Sequence, residues 1–178
     1  VPPPGEPGEH DRRRHPEDPV PGVDGGGLQG VELIPCARRP DEVVQVVIEL
    51  GQTKKKFAVN EVDTITFNAE PNDLAQARIA VRDGRYGEAQ SHLEKLEGKR
   101  NDRAAVQADI EFYRALSAVK LALAGSGSKT DAGRRLLAFE KAHKNNYHYF
   151  EACEVLGDLF ASLGKYDQAE NYYEKLAS

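Results

Sequence analysis

The chain contains no methionine and no tryptophan, and only two of its 178 residues are cysteines. Two cysteines exclude a disulfide-rich scaffold and a zinc site built from four cysteines. The longest apolar run, residues 43–50, is interrupted by Gln45 and Glu49. It is far shorter than the roughly 18–20 residues that a membrane-spanning helix requires, so no membrane span is expected.

The missing methionine leaves two origins open for Val1, which are cleavage of a signal peptide and trimming of the polypeptide. Because a proline-rich start is common in exported proteins, we expect an extracellular or periplasmic protein with a processed N-terminus, and a cytoplasmic protein is the alternative. An oxidising compartment would allow a disulfide between Cys36 and Cys153. We favour the other interpretation, two unpaired small hydrophobic side chains, with Cys153 facing a helical core.

The charge balance is acidic, with 24 basic against 29 acidic residues and a net charge of −5. This balance argues against nucleic acid as the main partner. The length fits one mid-sized domain or two small ones.

The composition divides the chain into three zones, residues 1–30, 31–69 and 70–178. The first zone is rich in proline and glycine and has too few apolar residues for a core, so it predicts an extended arm. The second zone predicts a small antiparallel β module of three or four strands, since β-branched residues are enriched in short runs. The candidate strands are Val31–Ile34, Val43–Leu50, Lys56–Val59 and Val62–Phe67.

The third zone predicts helices, because no proline follows Pro71 and residues with high helix propensity dominate. Helix breaks are expected at residues 83–84, 98, 125–128, 144–146 and 164–165. The fold class is therefore α+β, with an N-terminal arm, a β module and about three pairs of helices.

Two stretches of the helical zone repeat one another. Residues 82–96 and 162–176 share Gly, Tyr, Ala and a final Glu-Lys-Leu at identical spacing. Such a repeat is typical of the turn and second helix of a helical hairpin that stacks on its neighbours.

On these residues the zone resembles the tetratricopeptide repeat. The last unit, from Phe150 onward, is the clearest; the first unit spans residues 73–96. A degenerate middle unit has a helix near residues 104–124 and Ala132, Leu136 and Phe139 on a second helix. Cys153 and Leu176 depart from the family pattern, which usually has a large aromatic and an alanine there. The resemblance implies that these residues pack the repeats: Gly84, Tyr86, Ala89, Leu156, Gly157, Phe160, Gly164, Tyr166, Ala169 and Tyr173.

The β module also resembles, over about 30 residues, a small module that precedes such repeats in exported bacterial proteins of planctomycete type. The similarity lies in two strands joined by a glycine turn, followed by the run from Val59 to Ile65.

Motifs for catalysis and cofactor binding fail in detail. The Gly125–Thr130 segment has Ser128 where a phosphate-binding loop needs glycine, and it follows a predicted helix rather than a strand. The five histidines are scattered without metal-ligand spacing, and no serine or cysteine lies in a nucleophile motif. We therefore expect no enzyme, no metal and no cofactor.

In the resembled family, the first helix of each unit lines the concave face, and several positions at that face are charged in this sequence. Here they are basic in the first unit (Arg78, Arg82) and acidic in the last (Glu151, Glu154, Asp158). The acidic set differs from the Lys/Asn pattern that clamps a chaperone's C-terminal carboxylate. No capping helix follows the last unit in the sequence, so we expect Tyr172 and Leu176 to face another subunit.

These features predict a non-enzymatic structural protein that assembles with other copies of itself into a homo-oligomer or polymer, such as an extracellular filament. Subunits would associate head to tail through the helical repeats, with the N-terminal arm docking on neighbours. The alternative is a monomeric adaptor that binds a peptide segment of another protein in its concave groove.

Overall fold

A computed structural model describes residues 30–33, 45–50, 53–58, 62, 64–67, 69–99 and 101–177. The predicted arm lies outside these residues except for Gly30, which begins the first strand. Cys36 also lies outside them, whereas Cys153 is a free, buried thiol.

The β module contains a three-stranded antiparallel sheet in the order β1-β2-β3. Its strands are β1 (Gly30–Leu33), β2 (Gln45–Leu50) and β3 (Thr53–Ala58). Val31 pairs with Ile48, and Val47 pairs with Lys56. Val46 and Val47 of the central strand are at most 1% exposed. The edge strand β3 is exposed and carries Lys54–Lys56, as expected for an edge protected by charge.

The fourth candidate strand, Val62–Phe67, is wrong: the described residues 62 and 64–67 form no strand. A local turn uses the backbone groups of Phe67 instead. Its N–H donates to Glu70 Oε2 at 3.1 Å, and its carbonyl accepts from the Glu70 N–H at 3.2 Å. The Phe67 ring packs against the helical core, so this segment leads into the first helix.

The described residues contain six α-helices that form three consecutive pairs, as the repeats predict. The helices are α1 (Asn72–Arg82), α2 (Tyr86–Glu94), α3 (Ala104–Leu123), α4 (Lys129–Ala142), α5 (Tyr149–Ser162) and α6 (Tyr166–Ala177). The helix breaks lie where the sequence predicted them. None of the described helices is both long and apolar enough to cross a membrane.

The first helix of every pair ends in the same way, including that of the degenerate middle pair. Gly84, Gly125 and Gly164 have φ values of +73°, +89° and +71°, which only glycine adopts without strain. The residue after each glycine donates its N–H to the carbonyl five residues earlier, a Schellman-type cap. These bonds are Arg85 to Ala80 at 2.7 Å, Ser126 to Leu121 at 2.8 Å and Lys165 to Phe160 at 2.9 Å.

One hydrophobic core runs through the stacked helices, because each helix packs on the next along the chain. Its fully buried side chains include Leu74 of α1, Leu93 of α2, Phe112 of α3, Leu136 of α4 and Leu156 of α5. Since α1 to α5 each contribute such residues while α6 contributes little, the two ends of the stack differ.

Candidate protein-interaction surface

The last helix leaves aromatic and apolar side chains open to solvent. Ala169 is the one fully buried residue of α6, all of which the structure describes. Tyr166 is 71% exposed, and Tyr173 and Leu176 are each 39% exposed. Residues 166, 170, 173 and 177 lie on one side of the helix, since they follow i, i+4, i+7 and i+11 spacing, and the exposed Leu176 borders that side. We call Tyr166, Glu170, Tyr173, Leu176 and Ala177 the α6 face.

Four of the five equivalent positions of the first pair are buried or half-buried, and the fifth, Glu97, is exposed. Tyr86 is half-buried, and Leu93 and Leu96 are 0% and 5% exposed. The cover is the next helix along the chain, α3, whose Arg114 donates from Nη2 to the carbonyl of Leu93 at 2.7 Å.

In the middle pair, α5 contacts α4 at Gly133 and through a hydrogen bond from Tyr149 to Glu140, while Phe139 packs on Phe112 of α3. Leu136, Phe139 and Glu140 of α4, which correspond to Tyr173, Leu176 and Ala177, are at most 5% exposed. A Cβ atom on Gly133 would lie 2.8 Å from Cδ2 of Leu159, so the two helices approach closely there. The α6 face is therefore the one copy of this joint that no described helix covers.

Tyr172 and Tyr173 hold α6 on its own partner helix, α5, so Tyr173 belongs both to the α6 face and to the contact with α5. A Cβ atom on Gly157 would lie 2.5 Å from the Tyr173 ring, so a larger residue there requires the ring to shift. The Tyr173 hydroxyl donates to Asp158 Oδ1 at 2.9 Å. Tyr172 stacks on Phe160, with ring centroids 5.5 Å apart. These contacts fix α6 on α5 and leave Tyr166 and Leu176 exposed.

The predicted repeat-packing residues divide into covered and open ones. Ala89, Leu156, Gly157 and Ala169 are buried, Tyr86 and Phe160 are half-buried, and Gly84 and Gly164 form the turns. Tyr173 packs on Gly157 but stays partly exposed. Tyr166 differs from the prediction, because at 71% exposure it packs against little, and no described helix follows to cover it.

Arg78 is placed differently from the surface contact that the sequence predicted. It is 7% exposed, donates from Nη1 to Glu70 Oε1 at 2.6 Å and pairs through Nη2 with Asp109. A partner would first have to break this double ion pair, so we remove Arg78 from the contact set.

Asp109 is the centre of a buried polar network that joins the three pairs. It lies on α3, is 0% exposed, and accepts from Arg78 of α1 and from the Tyr147 hydroxyl at 3.1 Å. His148 Nε2 lies 3.7 Å from Asp109 Oδ1, and its ring stacks on Phe112 at 3.8 Å. Burial raises the pKa of Asp109, and the charges of His148 and Arg78 oppose that shift.

Three atoms of this network have no hydrogen-bond partner among the described residues: Arg78 Nε, Asp109 Oδ1 and His148 Nε2. Sequence reasoning missed Asp109, Tyr147 and His148. A signal was present for Asp109, because an acidic residue stands between Val106 and Phe112 on an otherwise apolar helix face.

Two of the three predicted acidic contact residues of α5 already have polar contacts within the chain. Glu151 is exposed, and its Oε2 accepts a hydrogen bond across 3.2 Å from His148 Nδ1 in the tautomer that carries a proton there. Asp158 is half-buried and holds the Tyr173 hydroxyl, while Glu154 is exposed. Arg82 of α1 is open, since its side chain is 71% exposed, and it lies 4.0 Å from Asp83.

Tyr172, which the sequence predicted to face another subunit, stacks on Phe160 of α5. It is half-buried, and Lys175 Nζ lies 4.1 Å from the ring centroid. Burial raises the pKa of Tyr172 to about 12. Of the two residues predicted at this end, Leu176 is the more open.

The described residues offer little for catalysis or for metal binding. They contain no group of three His, Cys, Asp or Glu side chains able to hold a metal ion. Burial raises the pKa of the Cys153 thiol, which makes it a poor nucleophile. A cavity of about 390 Å³ lies between α2, α3 and α4, and its lining mixes Glu94, Glu97 and Asp131 with Arg114 and Arg135. Binding through surfaces is the chemistry that this arrangement supports.

The family model of the tetratricopeptide repeat matches residues 152–178, which cover most of α5 and all of α6. No curated protein and no solved structure matches the chain significantly. The match and the helix pairs show a tetratricopeptide-like C-terminal region. Repeats of this family are protein-interaction modules and are typically non-catalytic, which suggests a protein-interaction scaffold.

Proposed function

We propose that this protein is a structural scaffold that associates with other copies of itself, head to tail, through its helical repeats. One observation carries the proposal: Tyr173 and Leu176 of the α6 face are each 39% exposed, whereas their equivalents in the first two pairs, Leu93, Leu96, Leu136 and Phe139, are at most 5% exposed. The α6 face is the one such joint that no described helix covers, and we propose that a helix of another subunit packs there.

The composition of the α6 face fits a reversible interface. Tyr166, Tyr173 and Leu176 supply aromatic and apolar area, while Glu170 keeps the face soluble when it is open. Tyrosine is enriched in interfaces of this kind, and non-obligate interfaces are about as apolar as the rest of a protein surface. We therefore expect association that rises with concentration rather than a permanent dimer.

The test is the molar mass in solution, measured by light scattering over a concentration series. The wild-type chain should exceed its monomer mass of 19.6 kDa, and Leu176→Asp should return to it. Leu163→Asp is the matched control, because Leu163 is also 39% exposed and the equivalent residue in the first pair is already Asp83. A wild-type monomer at every concentration would refute the proposal.

The proposal includes the N-terminal arm, which we propose docks on a neighbouring subunit. Deletion of residues 1–27 should lower the mean assembly mass while leaving the helical circular dichroism unchanged. An unchanged assembly mass would exclude the arm from the interface.

A monomeric adaptor is the second candidate, favoured by the exposed carboxylates Glu151 and Glu154 on α5. Such a surface suits a basic peptide segment of another protein. This candidate predicts that Leu176→Asp leaves peptide binding intact, whereas Glu154→Lys weakens it at least tenfold in a titration calorimetry experiment.

A further inference from the structure

The first helix of the stack also carries an open stripe, at the end opposite to α6. Asn72, Gln76 and Ile79 of α1 are exposed, and Ile79 is 39% exposed. The equivalent residues of α5 are Ala152, Leu156 and Leu159, which are at most 1% exposed. Together with Arg82 we call Asn72, Gln76 and Ile79 the α1 face.

The cover over the α5 stripe is the preceding helix, α4. Leu159 meets α4 at Gly133, where an added Cβ would come within 2.8 Å. One turn away, Lys129 Nζ donates to the carbonyl of Ser162 at 3.5 Å. The packing of α4 on α5 therefore shows how the second helix of one pair contacts the first helix of the next pair.

We propose that the α6 face of one copy docks on the α1 face of a second copy in the way that α4 docks on α5. This inference rests on the proposed self-association and names the surface that receives it. The two faces are the open halves of the same joint, one at each end of the stack. Contact between different faces is heterologous, so it leaves a free face at each end of any open chain of subunits.

If the α4–α5 contacts are transferred to the α6 and α1 faces, they predict which residues meet across the interface. Position 133 corresponds to Glu170 and position 159 to Ile79, so these two side chains come together. Position 129 corresponds to Tyr166 and position 162 to Arg82, which places a guanidinium against an aromatic ring. The opposite charges of Glu170 and Arg82 lie one helical turn apart, within reach of the long arginine side chain.

Glu170 makes this joint looser than its internal template. Gly133 permits close approach of α4 and α5, whereas a glutamate at that position holds two helices further apart. The α2–α3 joint already accommodates a side chain of this size, because Gln90 stands at the equivalent position and is half-buried. Separate subunits should therefore dock more weakly than the helix pairs within one chain.

A mixing experiment tests the inference by sedimentation velocity. Ile79→Asp blocks only the α1 face, and Leu176→Asp blocks only the α6 face. Each variant alone should be monomeric, with association weakened at least tenfold. A 1:1 mixture should form dimers and nothing larger, because one productive joint remains. Leu163→Asp serves again as the control and should assemble like the wild type.

The outcomes separate this inference from the proposed function. If Ile79→Asp assembles like the wild type while Leu176→Asp is monomeric, α6 binds some other surface, and the assignment to α1 is wrong. A mixture that stays monomeric although both variants remain folded also overturns it. A wild-type monomer overturns the proposed function as well.

A charge exchange provides a second test that does not place a new charge at an apolar position. Arg82→Glu and Glu170→Arg should each weaken association, and the variant carrying both should recover most of it. Equal weakening in the double variant, with no recovery, would contradict the pairing of these two residues.

Discussion

The first and last helix pairs share the sequence of their turn and second helix, yet they differ in what covers them. In the first pair, Leu93 and Leu96 are at most 5% exposed because α3 lies over them. In the last pair, the equivalent Tyr173 and Leu176 are each 39% exposed. The repeated pattern thus determines how two helices form a hairpin, whereas burial of the outer side depends on the next helix.

The inner contacts of the two pairs differ as well, in a compensating way. The last pair combines Gly157 with the large Tyr173, and the first pair has Ala77 and Leu93 at the same positions. A smaller residue on the first helix accompanies a larger one on the second. The two pairs therefore fill a similar space with different side chains.

The largest contrast is expected from one substitution at equivalent positions. Leu96→Asp places an unpaired charge in a covered site and should cost about 4 kcal/mol or more of folding stability. Leu176→Asp should cost less than about 1 kcal/mol, because its site is open, and should act on association instead. Urea unfolding followed by circular dichroism measures the folding stability of both variants. Equal losses of stability would contradict the difference between the covered and the open site.

Arg78 and Asp158 stand at equivalent positions with different surroundings. Arg78→Ala leaves the fully buried Asp109 without its cation, so we expect a loss of about 3–5 kcal/mol. Asp158→Ala removes one partly exposed hydrogen bond to Tyr173 and should cost about 0.5–1.5 kcal/mol. Thermal unfolding of the two variants at one protein concentration checks the order, and a reversed order would contradict the buried network.

Gly157→Ala tests the inner contact of the last pair. The added methyl overlaps the Tyr173 ring, and overpacking of this kind costs about 1–3 kcal/mol. Adding Tyr173→Leu gives the last pair the alanine and leucine that the first pair has at these positions, and it should restore most of the lost folding stability. A double-mutant cycle by chemical unfolding measures the coupling, which would be near zero if the ring moves aside freely.

The smallest effect belongs to Tyr166, the most open aromatic of the α6 face. Tyr166→Ala should change folding stability by no more than about 0.5 kcal/mol, as expected for an exposed side chain. Tyr86→Ala should cost more, because its ring is half-buried. A similar loss for both, measured by unfolding at low protein concentration, would show that the two ends do not differ.

The helix pairs could be predicted from the sequence because their determinants are local. Gly84 and Gly164 end the first helices, and the small Ala89 and Ala169 mark the contacts between paired helices. The middle pair was recognisable despite its weak pattern, and its first helix ends at Gly125 with the same cap. Short-range turn and helix signals are sufficient for this part of the fold.

The placement of Arg78, Tyr166 and residues 62–67 depends on distant parts of the chain, so local patterns missed it. Arg78 is drawn inward by Asp109, which lies 31 positions away. Tyr166 matches Tyr86 in its local sequence, but Tyr86 is half-buried, whereas Tyr166 is 71% exposed and no described helix follows α6. The sequence of residues 62–67 has the alternation of a strand, yet the Phe67 ring packs against the helical core.

Amide hydrogen exchange at low and high protein concentration tests the central claim most directly, because it reports on each helix separately. If another copy fills the open joint, protection of α6 and of α1 should rise with concentration, while α2 and α4 should stay unchanged. Exchange in α6 that is identical at both concentrations would contradict the claim that its face is covered by a second subunit.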